Sequence, residues 1–175
     1  DLARLGRGAA DLMEAFNRAY GRRLELRLEP GRFLVAEAGR LLCTVTSVKT
    51  NPDTAEAKGR TYVGTDSGFN HLVRPTMYGS YHPIANLTNP QGKPAVVDVV
   101  GNICESGDVF ARERSLPEPR LGDLLAIGCA GAYGFSMASA YNLRPLPAEV
   151  TVDGDTVRLA RRRLTLDEML AAWEW

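Results

Sequence analysis

Several features common in specialised proteins are scarce in this sequence, and each shortage excludes something. The three cysteines, Cys43, Cys104 and Cys129, are too few and odd in number for a disulfide framework, so a reducing cytoplasm is the expected location. His71 and His82 are the only histidines, and no Cys/His spacing fits zinc, so no metal is expected. Charge of either sign is not in excess: Lys+Arg and Asp+Glu both number 21, which leaves no overall field to attract nucleic acid or an anionic membrane surface. No apolar run reaches the roughly 18 residues a membrane helix needs. The opening, Asp1-Leu2-Ala3-Arg4, has neither an initiator Met nor an apolar signal core. A chain that starts in mid-helix is expected to be a piece of a longer protein, or one whose terminus was processed. There is no internal repeat and no low-complexity tract.

What remains is an ordinary globular composition, 45% apolar and 24% charged over 175 residues, long enough to bury a sizeable core. Leu2, Leu5, Leu12, Met13, Phe16 and Tyr20 recur at helical spacing, and Gly21 stands where a helix would be capped. Leu24, Leu26 and Leu28 alternate with charged residues, which predicts a strand running into the turn Glu29-Pro30-Gly31-Arg32. Residues 33 to 39 could open a second helix, so residues 1–40 have the rhythm of an α/β unit.

After residue 40 the pattern changes. Strands are predicted over Leu41–Lys49, Arg60–Asp66, Ala95–Val100, Leu124–Gly128 and Val150–Leu159, separated by turn signals at Asn51-Pro52-Asp53, Asn89-Pro90-Gln91-Gly92 and Pro117–Pro119. Asp153-Gly154 predicts a hairpin. Leu164–Trp175 predicts a closing helix, with Thr165 as its N-cap and Glu168 completing a capping box. The expected class is mostly β, a barrel or sandwich over residues 41–175 with a terminal helix.

Four Gly-rich clusters carry chemically capable side chains. Glu29-Pro30-Gly31-Arg32 follows a predicted strand; a Gly there lets backbone N–H groups approach a phosphate, and Arg can pair with an anion. Asp66-Ser67-Gly68-Phe69-Asn70 leads into Arg74-Pro75-Thr76-Met77-Tyr78, where Arg74 can grip a carboxylate with Tyr78 or Tyr81 beside it. Gly101-Asn102-Ile103-Cys104-Glu105-Ser106-Gly107-Asp108 places a thiol among acids, a setting for a proton donor. Cys129-Ala130-Gly131-Ala132-Tyr133-Gly134 leaves the Tyr133 hydroxyl accessible. Each also has a plain structural reading: a surface charge pair, aromatics packed on the core, an inert buried Cys, a Gly-rich crossing with Tyr133 inside.

In their order along residues 29 to 150, EPGR, DSGFN with RPTMY, CESGD, GAYGFSMAS and YNLRPLPAEV resemble the fold-type III pyridoxal-phosphate decarboxylases, and Glu after Cys104 resembles the branch acting on diaminopimelate. The resemblance implies a (β/α)8 barrel followed by a C-terminal β-barrel or sandwich domain. Residues 1–40 would then be the last α/β element of an incomplete barrel, and 41–175 the β domain. A whole barrel takes about 250 residues, so the lysine that anchors pyridoxal 5'-phosphate would lie outside this chain. Lys49, Lys58 and Lys93 sit in strand-end or loop contexts, and the chain alone should be inactive.

The resemblance further implies cofactor contacts from Glu29, Pro30, Gly31, Arg32 and Tyr133. It implies substrate contacts from Arg32, Arg74, Tyr78, Glu105 and Tyr133, and a proton donor in Cys104. Cys104 and Glu105 would serve the active site of a second subunit in a homodimer. The implied reaction is decarboxylation of meso-2,6-diaminopimelate, a small-molecule amino acid, to L-lysine, with no nucleic-acid or membrane partner. Asn102, and Ser67-Gly68-Phe69, depart from the family pattern and keep open a relative acting on another diamino acid or a carrier-bound substrate. The missing lysine keeps open a non-enzymatic β domain that binds a partner.

Overall fold

A computed structural model describes residues 1–171. The chain forms two compact units, Asp1–Gly31 and Arg32–Trp175. The first holds helix α1 (Leu2–Tyr20). Asp1 caps it, its carboxylate accepting from the N–H groups of Ala3 at 3.0 Å and Arg4 at 3.4 Å. Gly21 ends it in the left-handed region at φ 72°, which a residue without Cβ adopts at no steric cost. Asn17 then ties the returning chain down: its amide donates to the Leu24 carbonyl at 3.1 Å, and its Oδ1 accepts from the Leu24 N–H at 2.8 Å. Phe16 stacks on Tyr20 along the same face.

The strand expected over Leu24–Leu28 is not formed. A strand needs a neighbour's N–H and C=O groups, and this segment has no ladder partner among the described residues; its three leucines are exposed. Alternation in sequence reports which residues could face a core, not whether a pairing edge lies within reach.

The second unit opens with a short helix, α2 (Gly31–Val35), continued by one 3-10 turn, Ala36–Ala38. The sheet begins at Leu41. It comprises β1 (Leu41–Asn51), β2 (Arg60–Thr65), β3 (Ile84–Asn86), β4 (Pro94–Val100), β5 (Val109–Pro117) and β6 (Leu124–Ile127), with helix α3 (Arg74–Tyr78) between β2 and β3. The strand order is β3-β6-β1-β2-β4-β5. All pairings are antiparallel except β2 with β4. The edges β3 and β5 approach each other, and the Asn86 amide reaches the Pro117 carbonyl at 3.4 Å, so the sheet curls into a nearly closed barrel. The expected strands at 41, 60, 95 and 124 are present; β3 and β5 were not anticipated.

The barrel closes around Cys43, Val45, Val63, Val97, Val99, Phe110, Leu116, Leu125 and Ile127. Two irregularities bend the strands enough to curl. β1 pairs with β6 through Leu41–Thr44, then shifts register between Val45 and Ser47 as it passes to β2. β4 shifts between Val97 and Val99, around Asp98. That buried carboxylate accepts from the Glu113 N–H at 2.6 Å and from the Arg60 guanidinium at 2.9 Å, which satisfies a charge that would otherwise be costly inside a sheet.

Beyond the barrel, β7 (Glu149–Asp153) and β8 (Thr156–Arg161) form the expected hairpin. Its turn residues are Gly154-Asp155, one position later than the dipeptide that marked it, with Gly154 at φ 56°. Arg161 ties the hairpin back: it forms an ion pair with Glu149 at 2.9 Å and lies 3.7 Å over the Phe135 ring. Helix α4 (Leu166–Leu170) carries the expected capping box of Thr165 and Glu168. Arg162, then the Thr165 N–H and hydroxyl, hold the Glu168 carboxyl at about 2. The expectation that this helix runs on to Trp175 concerns residues 172–175, which lie outside the described residues. No helix is long and apolar enough to cross a membrane.

The core assignment has a simple test. Leu125 is completely buried on β6, whereas its strand partner's neighbour Leu42 points outward. Leu125→Ala should lower unfolding free energy in urea by about 3 kcal/mol through lost transfer energy and a residual cavity. Leu42→Ala should change it by less than about 0.5 kcal/mol. Equal effects would show that the core is misplaced.

Candidate functional site

One end of the barrel gathers three loops and α3, and most of the candidate residues stand there. Pro75 lies in the first turn of α3, where its missing N–H does no harm, and Gly79 closes the helix at φ 60°. This single turn presents Arg74 and Tyr78 together. The Arg74 guanidinium lies 5.4 Å from the Tyr78 ring centre and 5.6 Å from that of Tyr133, from a distant part of the chain. Both fall within the roughly 6 Å over which an aromatic face attracts a cation. Arg74 also donates to the Ser80 hydroxyl at 3.1 Å.

Arg74 is only 9% exposed, yet no carboxylate lies within ion-pair range of it among the described residues. Two rings and one hydroxyl offset only part of the desolvation of a guanidinium. A planar fork of donors held this way is suited to a carboxylate or phosphate arriving from outside.

The loop carrying Tyr133 explains why that stretch is so rich in small residues. The Ala130 N–H donates to the Gly39 carbonyl at 2.9 Å and the Gly131 N–H to the Ala36 carbonyl at 3.0 Å. A side chain on Gly131 would collide with the Val35 carbonyl, and one on Gly134 with the Ala130 carbonyl. The same close packing holds two side-chain-bearing residues, Cys129 at φ 55° and Tyr133 at φ 57°, in the left-handed region. Such backbone costs on the order of 1–3 kcal/mol per residue and persists where the surroundings impose it. Tyr133 is thereby aimed at Arg74 while its ring stays half exposed. Arg32 is exposed in the first turn of α2, whose continuation, Val35–Gly39, is the segment against which the Tyr133 loop packs. Glu29, Pro30 and Gly31 are exposed and belong to the first unit.

The thiol and its neighbouring acid sit on a loop organised by Asp108. This buried carboxylate accepts from the Ile103 N–H at 2.7 Å within its own loop and from the Phe69 N–H at 2.6 Å in the preceding one. Gly68 and Gly101 both approach it so closely that a Cβ on either would crowd the carboxylate. Burial pushes the Asp108 carboxyl up, with a smaller contribution from Glu105, while the two N–H donors pull it down. The loop leaves Cys104 and Glu105 exposed. Glu105 folds back, accepting from the Gly107 N–H at 3.2 Å and the Ser106 hydroxyl at 3.3 Å. The Thr76 hydroxyl donates to the Gly107 carbonyl at 2.7 Å and so joins this loop to α3. Thr76 lies inside a segment the sequence singles out, but a threonine in a turn gives no signal of its far partner.

A second set of bonds holds the loop before α3. The Pro145 carbonyl can only accept, so His71 Nε2 carries the proton, and Nδ1 accepts from the Ser67 hydroxyl at 2.9 Å. Burial keeps the ring below its ordinary value of 6.5. The same loop meets the one carrying Cys104, where the Asn102 N–H donates to the Ser67 carbonyl at 3.2 Å.

Two measurements follow from this geometry. Cys43 is buried, and desolvation followed by the charge of Asp66 pushes its thiol up to about 12, whereas Cys104 is exposed. Alkylation of the native protein should therefore mark Cys104 and leave Cys43 unmodified until the chain unfolds; a Cys43 as reactive as Cys104 would contradict the core described above. Because folding depresses the His71 value below 6.5, the unfolded chain takes up the proton first as pH falls. Stability from this group is full above about pH 6.5 and is lost as pH drops below it. Denaturation midpoints from about pH 8 to pH 5 should fall less in His71→Gln than in the native sequence.

Known proteins align with this arrangement. The family model for the pyridoxal-dependent decarboxylase C-terminal sheet domain matches residues 19–131. A diaminopimelate decarboxylase of Methanothermobacter thermautotrophicus is 50% identical over 144 residues, covering 82% of this chain and 32% of that protein. One from Escherichia coli K12 is 46% identical over 170 residues, covering 90% of this chain and 39% of the relative. Among solved structures, diaminopimelate decarboxylase from Helicobacter pylori complexed with L-lysine superposes with a TM-score of 0.75 at 38% identity, over 90% of this chain and 37% of that one. The chain therefore spans roughly a third of the length of the relatives it matches.

Proposed function

The chain belongs to the pyridoxal-dependent decarboxylase family, and on that premise we propose that it is the C-terminal part of an enzyme that decarboxylates meso-2,6-diaminopimelate to L-lysine. The observation that carries this reading is the buried Arg74 guanidinium, set between Tyr78 and Tyr133 with no carboxylate partner among the described residues. Homologues at 46–50% identity are diaminopimelate decarboxylases, and the Helicobacter pylori protein binds the product, L-lysine. The same reading makes residues 1–40 the end of a (β/α)8 barrel, and the working enzyme a cytoplasmic homodimer with shared active sites.

Pyridoxal 5'-phosphate fits the donor set around the EPGR turn. The Gly31 N–H is occupied by the Glu29 carbonyl at 2.9 Å. The next N–H groups, at Arg32 and Phe33 in the first turn of α2, have no intrahelical acceptor and are free for a phosphate. Nothing lies within 4 Å of where a Gly31 side chain would be, so an oxygen can approach the backbone there. By resemblance Glu29 would supply a carboxylate to the coenzyme's pyridine nitrogen, and Tyr133 would supply a hydroxyl. Once bound, the coenzyme provides an electron sink for the pair left behind by the departing carboxylate. On this reading the anchoring lysine would lie outside this chain, and the chain alone is expected to be inactive.

The chain's own residues then do three things. Arg74 and Arg32 hold the substrate's carboxylate, with Tyr78 donating beside them, which turns a long flexible diamino acid into an oriented one. Glu105, which carries an exposed carboxylate, reaches with Cys104 into the partner subunit's site, where it pairs with the ammonium of the distal amino-acid end and distinguishes it from a simple alkyl amine. Cys104 holds a proton on Sγ and delivers it to the carbon that has lost carbon dioxide.

The full-length enzyme, supplied with pyridoxal phosphate, should release carbon dioxide from meso-diaminopimelate. Arg74→Ala should lower kcat/KM by roughly 100- to 1,000-fold, the consequence of removing a charge-assisted pair from a buried site. Arg74→Lys should recover only part of this, because an ammonium lacks the planar fork. Turnover of ornithine or arginine in place of diaminopimelate would assign the chain to another branch.

A further inference from the structure

We infer that Thr76 is a positioning residue that sets where Glu105 and Cys104 stand as they reach into the partner subunit's site; this deepens the decarboxylase reading above and rests on it. Gly107 is held at both ends. Its N–H donates to the Glu105 carboxylate at 3.2 Å, and its carbonyl accepts from the Thr76 hydroxyl at 2.7 Å and from the Val109 N–H at 2.7 Å. Thr76 thus connects through one residue to the Glu105 carboxylate. On its own helix it stands two residues after Arg74 and two before Tyr78.

The methyl group of Thr76 adds a steric register to the polar one. A Cβ on Gly107 would lie 3.1 Å from Thr76 Cγ2, tight enough that one of the two would have to give by a few tenths of an ångström. Behind the loop, Asp108 fixes its base through Ile103 and Phe69. Apart from bonds to Ile103, Asp108 and Val109, its neighbours along the chain, the tip from Cys104 to Gly107 has one described bond to the rest of the barrel, the one from Thr76. The base is set by the fold and the tip by Thr76.

Thr76 is exposed, so its hydroxyl contributes little to folding; its importance is geometric. A reacting group displaced by about 1 Å can lose up to a hundredfold in rate. An exposed hydrogen bond that fixes both the substrate-selecting acid and the proton-donating thiol therefore affects turnover far more than stability.

The experiment uses the full-length enzyme with Thr76→Val, which keeps the shape and removes the hydroxyl, and Thr76→Ser, which keeps the hydroxyl. Thr76→Val should lower kcat/KM for meso-diaminopimelate about tenfold, mainly in kcat, with an unchanged melting temperature. Thr76→Ser should stay within about twofold of the native enzyme. Alkylation of Cys104 should quicken in Thr76→Val and not in Thr76→Ser. Native kinetics and native alkylation in Thr76→Val would overturn the inference, as would Thr76→Ser failing as badly as Thr76→Val. If the native enzyme does not act on diaminopimelate, the functional reading falls instead. The alkylation rates then still decide the role of Thr76, equal rates in all three proteins refuting it.

Discussion

The site end of this barrel depends on one buried carboxylate. Asp108 accepts N–H groups from two loops whose donors, Phe69 and Ile103, are 34 residues apart in sequence, and each loop places a glycine where any side chain would crowd it. A carboxylate in that position is stable only while both donors are present, so the two loops are ordered together. Everything of chemical interest nearby is built outward from it. The Phe69 loop leads into α3, with Arg74 and Tyr78, and the Ile103 loop carries Cys104 and Glu105. Asp98 has the same role at the other bulge of the sheet, where the Glu113 N–H and Arg60 satisfy it. In both places a charge is retained inside a β structure because main-chain donors at irregular positions need an acceptor.

The site is assembled against local preference in several places. Arg74 is buried with no carboxylate in ion-pair range among the described residues, and Tyr133 and Cys129 occupy left-handed backbone that residues with a Cβ avoid. Each costs free energy, and each is held by packing that permits little alternative, such as the wedge of Gly131 against the 35–39 segment. On the function proposed above these strains have a common explanation: the groups would be fixed in advance for an anionic substrate, so that its arrival requires little further ordering.

Much of this was legible in the sequence because it is local. The α1 spacing with its Gly21 cap, the β-prone runs between turn signals in β1, β2, β4 and β6, the Thr165–Glu168 capping box and the β7–β8 hairpin all follow from residues a few positions apart. The order of the EPGR, RPTMY, CESGD and GAYG segments was legible too, as was the resemblance they carry. The leucines at 24, 26 and 28 show the limit. Their alternation states a preference for a pleated surface, and without a pairing strand that preference has nothing to act on. β3 and β5 were missed for the opposite reason. β3 is three residues long and β5 is interrupted by charge, Arg112-Glu113-Arg114, so neither has a pattern of its own, yet both are formed by the strands beside them.

By itself the sequence determined which chemical groups this protein carries and in what order, together with the helices and strands whose spacing is periodic. These depend on side-chain type and on torsions that neighbouring residues decide. Only the tertiary structure decided that Arg74 meets Tyr133 across some sixty residues of chain, that one carboxylate holds two loops, and that Thr76 touches Gly107. Such meetings depend on how a curled sheet brings its loops to one end, and the closing of a barrel is a property of all its strands at once.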